Sequence, residues 1–290
     1  MMHVPVQLEL ALEYLAIRPD GIYVDATFGA GGHARAILER LKTGRLVAFD
    51  ADPSAQRRAA AISDPRFTFI AANFRALSEE LDRRAIGEID GILFDLGVSS
   101  MQFDDPERGF SLGKPAPLDM RMNVYAGRTA FDILSSASER ELADMFFAYG
   151  EERAARRIAH AVVERRSAGM LPTTTTEFAS LVAGVVHRKG HRERIHPATR
   201  VFQALRIAVN DELGALRDGL RAAVARLRAA GRIVVISFHS LEDRIVKHEF
   251  RGDERLEVLT RRPLVPTEHE IAQNFRARSA KLRAARRKAS

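Results

Sequence analysis

Short apolar runs alternate with helical patterns through the first third of the chain. Runs at 22–24, 45–49, 67–70 and 89–96 are each followed by a polar or glycine-containing segment and then by apolar residues at helical spacing. Short buried strands that alternate with helices are typical of a parallel sheet whose two faces are both covered. The pattern therefore predicts an α/β fold of the Rossmann-like kind.

The first strand runs into a glycine-rich turn, VDATFGAGGH at 24–33. Gly29, Gly31 and Gly32 remove side chains where the backbone turns tightly or approaches a ligand. Asp25 ends the strand, at the edge where open α/β sheets bind ligands. The turn fits a dinucleotide site, an S-adenosylmethionine (SAM) site or a simple tight turn, and the imperfect third glycine disfavours a dinucleotide.

Polar and aromatic residues follow the next three strands at the same edge. Asp50 lies about twenty residues beyond the glycines, where an acid accepts hydrogen bonds from ribose hydroxyls, although a helix cap is the alternative. Phe74 could cover an adenine ring or be a core residue. Asp95 follows the fourth strand, ahead of Ser99 and Ser100. Together these positions predict a nucleoside cofactor site that suits SAM better than NAD.

The sheet pattern is then interrupted, because the next convincing strand is at 232–238. We therefore predict a methyltransferase-type domain in two parts, 1–104 and 197–290, with an inserted helical domain at 105–196. Polar loop 101–123 is long and contains Phe and Met, and we interpret it as a lid over the cofactor.

Two capping boxes, Ser138-x-x-Glu141 and Thr174-x-x-Glu177, predict helices within the insertion. Between them lies a helix with a basic face, which is either solvated or a phosphate-binding surface and which consists of Arg153, Arg156, Arg157 and His160. After the last strand, Ser240 is predicted to cap a helix. His239 would then face the ligand edge, although a lone histidine is usually structural.

The net charge of +7 is concentrated at one end of the chain. Segment 276–290 holds seven basic side chains and no acid, which favours a nucleic-acid partner. A solvated helix end or a disordered tail is the alternative interpretation.

The chain has no cysteine, and 46% of its residues are hydrophobic. Disulfides and thiolate metal sites are therefore excluded, and no apolar run is long enough for a membrane span. No signal peptide is evident, so we expect a cytoplasmic protein. P-loop, zinc-protease and nucleophile-elbow motifs are not found, and no metal site is predicted.

Six segments, taken together and in order, resemble the signatures of the MraW/RsmH family of bacterial 16S ribosomal RNA cytosine-N4 methyltransferases. They are 25–33 (DATFGAGGH), 94–100 (FDLGVSS), 118–122 (LDMRM), 149–153 (YGEER), 196–200 (HPATR) and 236–244 (ISFHSLEDR). The resemblance extends from His3 to about Arg283, and Phe275 departs from it where the family commonly has proline. It implies SAM as cofactor and a cytosine of the decoding centre as substrate.

The resemblance also implies a set of cofactor-binding residues, which are Gly31, Gly32, His33, Asp50, Phe74, Asp95 and Gln102. In this set the two glycines and His33 contact the amino-acid end of SAM. Asp50 binds the ribose and Phe74 packs on the adenine.

Cytosine N4 is a weak nucleophile, so direct methyl transfer needs an acceptor for its proton and in-line geometry. Asp95 is the first candidate acceptor, and the hydroxyls of Ser99 and Ser100 are further ones, with His239 less favoured. The cytosine must be unstacked to reach such a site. We expect RNA contacts from the inserted domain and the basic tail.

Other functions stay open at this point. A non-catalytic RNA chaperone that binds SAM or a nucleotide, a methyltransferase for DNA or protein, and an NAD dehydrogenase all share parts of the pattern. The predicted partner is the small ribosomal subunit with its 16S rRNA, and no membrane. The oligomeric state is open, a homodimer included, as is any help from a metal in holding RNA.

Overall fold

The computed structural model describes residues 5–186 and 196–289, apart from the side chain of Ser100. The chain divides into two compact units. One comprises Met1–Gly97 with Leu213–Ser290, and the other is Val98–Glu212. Within the described residues, no helix has both the length and the apolar composition needed to cross a membrane.

The first unit is built on a sheet, for which the described residues supply seven strands. In chain order they are β1 (Ile22–Asp25), β2 (Arg45–Phe49), β3 (Phe67–Ile70), β4 (Ile89–Asp95), β5 (Leu227–Ser237), β6 (Leu256–Val258) and β7 (Lys281–Arg287). Their spatial order is β3-β2-β1-β4-β5-β7-β6. The first five strands are parallel, and β7 runs antiparallel to both β5 and β6. The predicted α/β Rossmann-like fold is confirmed.

The described helices alternate with these strands and then form a separate group. They are α1 (Leu8–Leu15), α2 (Gly32–Arg40), α3 (Pro53–Ala59), α4 (Leu77–Asp82), α5 (Ser100–Asp104), α6 (Ala130–Ser136), α7 (Glu139–Gly150), α8 (Ala155–Ser167), α9 (Thr175–Val186), α10 (Thr199–Asn210), α11 (Glu212–Arg226), α12 (Ser240–Gly252) and α13 (Glu268–Gln273). Short 3₁₀ turns lie at Phe74–Ala76, Pro106–Arg108 and Phe275–Ser279.

Strand β4 shows why the central strands are apolar at nearly every position. Its neighbouring residues Leu93 and Phe94 point to opposite faces of the sheet. Leu93 belongs to the core that includes α1 and α2, whereas Phe94 lies against Gly219 of α11. Helices therefore cover both faces, and a polar side chain on either face would be buried.

For segment 276–290, the alternative prediction was a solvated helix end or a disordered tail. This alternative is wrong over 281–287, because these residues form strand β7. The strand lies inside the sheet, between β5 and β6. Leu282 and Ala284 are fully buried in the core, and Arg283 forms a bidentate ion pair with Asp243 at 2.6 and 3.1 Å. The local sequence favours a helix or a solvated segment, but hydrogen bonding to β5 and β6 makes it a strand.

The second unit consists of α5 to α10 around its own core. Both predicted capping boxes are formed: Ser138 with Glu141, and Thr174 with Glu177. The unit spans Val98–Glu212 and so includes more of the chain than the predicted insertion of 105–196. Helix α10, which the sequence interpretation assigned to the sheet domain, buries its apolar side in this helical core.

The segment predicted as loop 101–123 begins within α5 and is packed into the helical unit. Phe110, Leu118 and Met120 are buried in its core. Asn210 of α10 holds the loop backbone, because its amide group accepts a hydrogen bond from the Met122 N–H and donates one to the Met120 carbonyl, at 2.7 and 2.8 Å. A role as a cofactor lid stays a prediction.

Candidate functional site

The glycine turn connects β1 to α2 through left-handed backbone. Gly29 and Gly31 have φ values of 52° and 79°, which glycine adopts without strain. A Cβ on Gly31 would lie 2.7 Å from the Phe28 ring, and one on Gly32 would lie 2.3 Å from Pro5. The packing of Phe28 and Pro5 therefore requires glycine at positions 31 and 32, whether or not a ligand is bound.

The carboxyl group of Asp50, after β2, is held across this turn. Its two oxygens accept hydrogen bonds from the backbone N–H groups of Gly29 and Asp52, at 2.7 and 2.8 Å. A carboxylate has about four acceptor positions, so it can accept two further donors. Desolvation raises the pKa of Asp50 to about 6 against the lowering effect of these two bonds.

Asp25, at the end of β1, is 1% exposed. One of its carboxylate oxygens accepts the N–H of Thr27 at 3.1 Å, and the other has no hydrogen-bond partner among the residues that the structure describes. Burial is the main cause that raises the pKa of Asp25 to about 7, and the nearby charge of Asp50 adds to it. Sequence analysis placed Asp25 at the ligand edge but did not include it among the site residues.

Asp95 ends β4, the strand next to β1. Its backbone N–H donates to the Thr27 hydroxyl at 2.7 Å. Its Oδ1 atom is buried and has no hydrogen-bond partner in the described part of the chain, while Oδ2 lies 3.6 Å from Nδ1 of His33. Burial, followed by the charges of Asp25 and Glu242, holds the pKa of Asp95 well above its usual range.

His33 lies in the first turn of α2 and is 5% exposed. Its Nε2 atom is 3.1 Å from the carbonyl oxygen of Val6, on the opposite side of the ring from Asp95. The imidazole therefore already has protein neighbours at both ring nitrogens. Its contact with the amino-acid end of SAM stays a prediction.

Phe74, after β3, is half-buried. Its ring meets that of Phe94 edge to face, with centroids 5.3 Å apart and planes at 87°. A Cβ on Gly219 of α11 would lie 2.6 Å from the Phe74 ring, so this glycine makes room for it. The aromatic pair gives Phe74 a fixed orientation, and its packing on adenine stays a prediction.

His239, not Ser240, caps α12, so the predicted cap was wrong by one residue. The Nδ1 atom of His239 accepts the Glu242 N–H at 3.4 Å, and the Glu242 carboxylate accepts the N–H groups of Phe238 and His239 at 2.8 and 3.2 Å. Sequence analysis did not include the buried Glu242, whose charge acts on Asp95. Its position three residues after the cap was the available signal.

Ser99 and Gln102 cap α5 reciprocally. The Ser99 hydroxyl accepts the Gln102 N–H at 3.3 Å, and the Gln102 side-chain oxygen accepts the Ser99 N–H at 2.9 Å. The Ser-x-x-Gln spacing predicts such a box, although the sequence analysis did not use it. The Ser100 side chain, a predicted proton acceptor, lies outside the described atoms. The catalytic and cofactor roles of these three residues stay predictions.

Helix α8 presents the predicted basic face. Arg153, just before the helix, and Arg156 and Arg157 within it are exposed, and none of them forms an ion pair or hydrogen bond with another described residue. His160 lies 3.2 Å from a carboxylate oxygen of Glu139. The three guanidinium groups are thus available to an anion.

The carboxyl edge of the sheet fits SAM in its chemistry. Strands β2, β1 and β4 are neighbours, so Asp50, Asp25 and Asp95 follow one another along this edge. SAM offers ribose hydroxyls, an ammonium group and a sulfonium cation, all of which suit carboxylates. The same acids would repel the pyrophosphate of NAD. The unpartnered buried oxygens of Asp25 and Asp95 can accept donors from such a cofactor or its substrate.

Comparison with known proteins agrees with this assignment. The family model described as the MraW methylase family matches residues 1–288. A protein of Geobacter sulfurreducens named ribosomal RNA small subunit methyltransferase H is 48% identical, with 98% of each chain covered. Proteins of the same name from Carboxydothermus hydrogenoformans and Thermomicrobium roseum are 47% and 49% identical, and the alignments cover 98% of this chain and 97% and 93% of theirs.

Proposed function

The chain belongs to the MraW methylase family and is a SAM-dependent methyltransferase, and on this premise we propose that it methylates the exocyclic N4 of a cytosine in 16S ribosomal RNA. The observation that carries this proposal is the carboxyl group of Asp95, which stands at the ligand edge and whose buried Oδ1 atom is unpartnered among the described residues. We further propose that the small ribosomal subunit is the partner and the cytoplasm the location.

Asp95 supplies the proton acceptor that an exocyclic amino group needs in order to attack a methyl group. SAM, when bound, provides an electrophilic methyl group. The N4 lone pair of cytosine is delocalised into the ring, so N4 gains nucleophilicity only when an acceptor draws on one of its protons. In our proposal Asp95 Oδ1 is this acceptor, and Asp50 orients the cofactor through its ribose.

The helical unit is proposed to recognise the RNA. Arg153, Arg156 and Arg157 form one exposed cationic face, and phosphate contacts of this type supply most of the sequence-independent affinity for RNA. The arginines of β7 are already engaged within their own unit: Arg283 and Arg286 are paired with Asp243 and Glu257, and Arg287 donates to the Val224 carbonyl at 2.6 Å.

The experiment that tests this proposal measures transfer of labelled methyl groups from SAM to unmethylated small ribosomal subunits, naked 16S RNA and DNA. Nucleoside analysis should find N4-methylcytidine on the RNA substrate. Asp95→Asn should bind SAM with little change and lose roughly a hundredfold or more in kcat. The rRNA assignment fails if SAM binds but no RNA is methylated, and methylated DNA would redirect it to another nucleic acid.

A further inference from the structure

The 3₁₀ turn Phe275–Ser279, which precedes β7, presents an aromatic ring to solvent. Phe275 is 67% exposed, and the guanidinium group of Arg278 lies over its ring, 4.5 Å from the centroid. In a 3₁₀ turn, side chains three residues apart lie above one another, so the spacing of these two residues brings them together. The surface of the sheet unit thus carries an exposed aromatic ring with a positive charge on one face.

The backbone of this turn is anchored in the core of the sheet unit. Ala277 and Ala280 are buried there, at 0% and 1% exposure, whereas the other residues of the turn are exposed. The Asn274 side chain caps the turn by accepting the Arg276 N–H at 3.2 Å. The aromatic ring is therefore held in place on the surface, and a partner that binds it has little backbone to order.

Hydrogen bonds connect this turn to the glycine turn of the cofactor site. Nε2 of His33 lies 3.1 Å from the Val6 carbonyl oxygen. The backbone N–H of Gln7, the next residue, donates to the Glu270 carboxylate at 2.6 Å, and the Glu270 carbonyl accepts the N–H of Asn274 at 2.7 Å. Three hydrogen-bonded steps, all within the sheet unit, therefore join the cofactor turn to the residue that precedes the exposed ring.

The segment around the ring is basic. Residues 261–279 contain four arginines and two glutamates. The side chains of Arg261 and Arg262 are exposed and form no ion pair or hydrogen bond with another described residue. An exposed aromatic ring beside cations is the combination that binds single-stranded nucleic acid, because the bases stack on the ring while the cations meet the phosphates.

We propose that Phe275 and Arg278 form a stacking site for an unpaired base of the RNA substrate, an inference that rests on the proposed function. The base stacks on the face of the Phe275 ring opposite to Arg278, and the guanidinium group contacts a neighbouring phosphate. Every base has a π-face, so the site accepts unpaired RNA with little preference for sequence. It belongs to the sheet unit and is distinct from the basic face of α8.

A single tryptophan can report the stacking directly, because the chain has none. In the full-length protein, the fluorescence of Phe275→Trp should be quenched by a saturating single-stranded oligocytidylate, because a stacked base lies against the indole ring. An abasic oligomer with the same phosphates should leave the fluorescence unchanged. Both oligomers carry a terminal dye, whose anisotropy shows that they are bound. Equal quenching by both, or no quenching by bound oligocytidylate, would overturn the stacking site.

Phe275→Ala separates stacking from charge. It should weaken binding to small ribosomal subunits roughly tenfold, with an unchanged slope of log K against log salt, because no phosphate contact is lost. The KM for subunits should rise while kcat and SAM affinity stay unchanged. Arg278→Gln should instead lower the salt slope by about 0.7, since it removes one phosphate contact.

The control is Val265→Ala, which removes an apolar side chain that is 63% exposed in the same segment. This variant should bind subunits like wild type. An unchanged affinity in Phe275→Ala, or a loss equal to that in Val265→Ala, would overturn the proposal.

The same variants distinguish RNA from a ribosomal protein as the partner of this ring. A loss of affinity for intact subunits but not for naked 16S RNA would assign the ring to a protein contact and overturn the RNA site. If wild type makes no N4-methylcytidine on any RNA, the proposed function fails, and the quenching by oligocytidylate still decides the stacking site by itself.

Discussion

At the scale of single residues, Asp25 makes the stability of the folded protein depend on pH. Its pKa is raised to about 7 in the folded protein, mainly by burial, whereas an exposed aspartate titrates near 3.8. Between these values the folded state holds a proton that the unfolded state has lost. The contribution of Asp25 to stability is thus complete below about pH 4 and is lost as the pH rises to 7.

Asp25→Asn should remove this dependence. Asparagine keeps an acceptor for the Thr27 N–H and never ionises. Relative to wild type, its free energy of unfolding should rise between pH 4 and pH 8 by on the order of 4 kcal/mol. Urea denaturation across this range measures the difference. Parallel stability curves for the two proteins would show that Asp25 is not the buried acid described here.

At the scale of helices and strands, Gly219 of α11 leaves the space that the Phe74 ring occupies. Alanine usually stabilises a helix by about 1 kcal/mol relative to glycine. In α11, however, the added Cβ would meet the Phe74 ring at 2.6 Å. Gly219→Ala should therefore displace Phe74, lower the free energy of unfolding and weaken SAM binding several-fold.

Gly184→Ala is the matched control, because its Cβ would meet nothing within 4 Å on the exposed side of α9. This variant should raise the melting temperature and leave SAM affinity unchanged. Calorimetry of unfolding and of SAM binding tests both variants. Equal gains in stability for both would mean that Phe74 does not depend on Gly219.

The ion pair between β7 and α12 is a second test at this scale. Arg283 and Asp243 are both largely buried, so Arg283→Met leaves a largely buried acid that has Lys281 at 4.0 Å. The free energy of unfolding should fall by about 3 kcal/mol. Adding Asp243→Leu should recover most of this loss, since an apolar pair needs no counter-charge. A fully stable Arg283→Met protein would contradict the account of β7 as an integral strand.

These elements also show how far the sequence could be interpreted. Strand β4 was predictable because both of its faces are buried and nearly every residue is therefore apolar. Strand β7, KLRAARR, was not, because its residues favour helix or solvent and only pairing with β5 and β6 makes it a strand. For the site, the spacing predicted Asp50, Phe74 and Asp95. The contact of His33 with Asp95 depends on tertiary packing and had no signal in the spacing.

At the scale of the whole molecule, the distribution of charge decides which cations can meet RNA. The net charge of +7 is concentrated in 276–290, but Arg283 and Arg286 of this segment are neutralised by acids of the same unit. The exposed arginines at the start of α8 have no such partners among the described residues. Acids therefore pair with at least two of the seven basic side chains of this segment, but with none of these three arginines of the helical unit among the described residues.

Replacement of Arg153, Arg156 and Arg157 by Gln tests this distribution. Each phosphate contact adds about 0.7 to the slope of log K against log salt for single-stranded RNA, so the triple variant should lose roughly two units of slope. Affinity for small subunits should fall at low salt, with SAM affinity unchanged. The control replaces the exposed Lys42, Arg57 and Arg251 of the sheet unit by Gln, which removes the same charge. Equal slopes for the two triple variants would mean that net charge alone, and not the face of α8, binds the RNA.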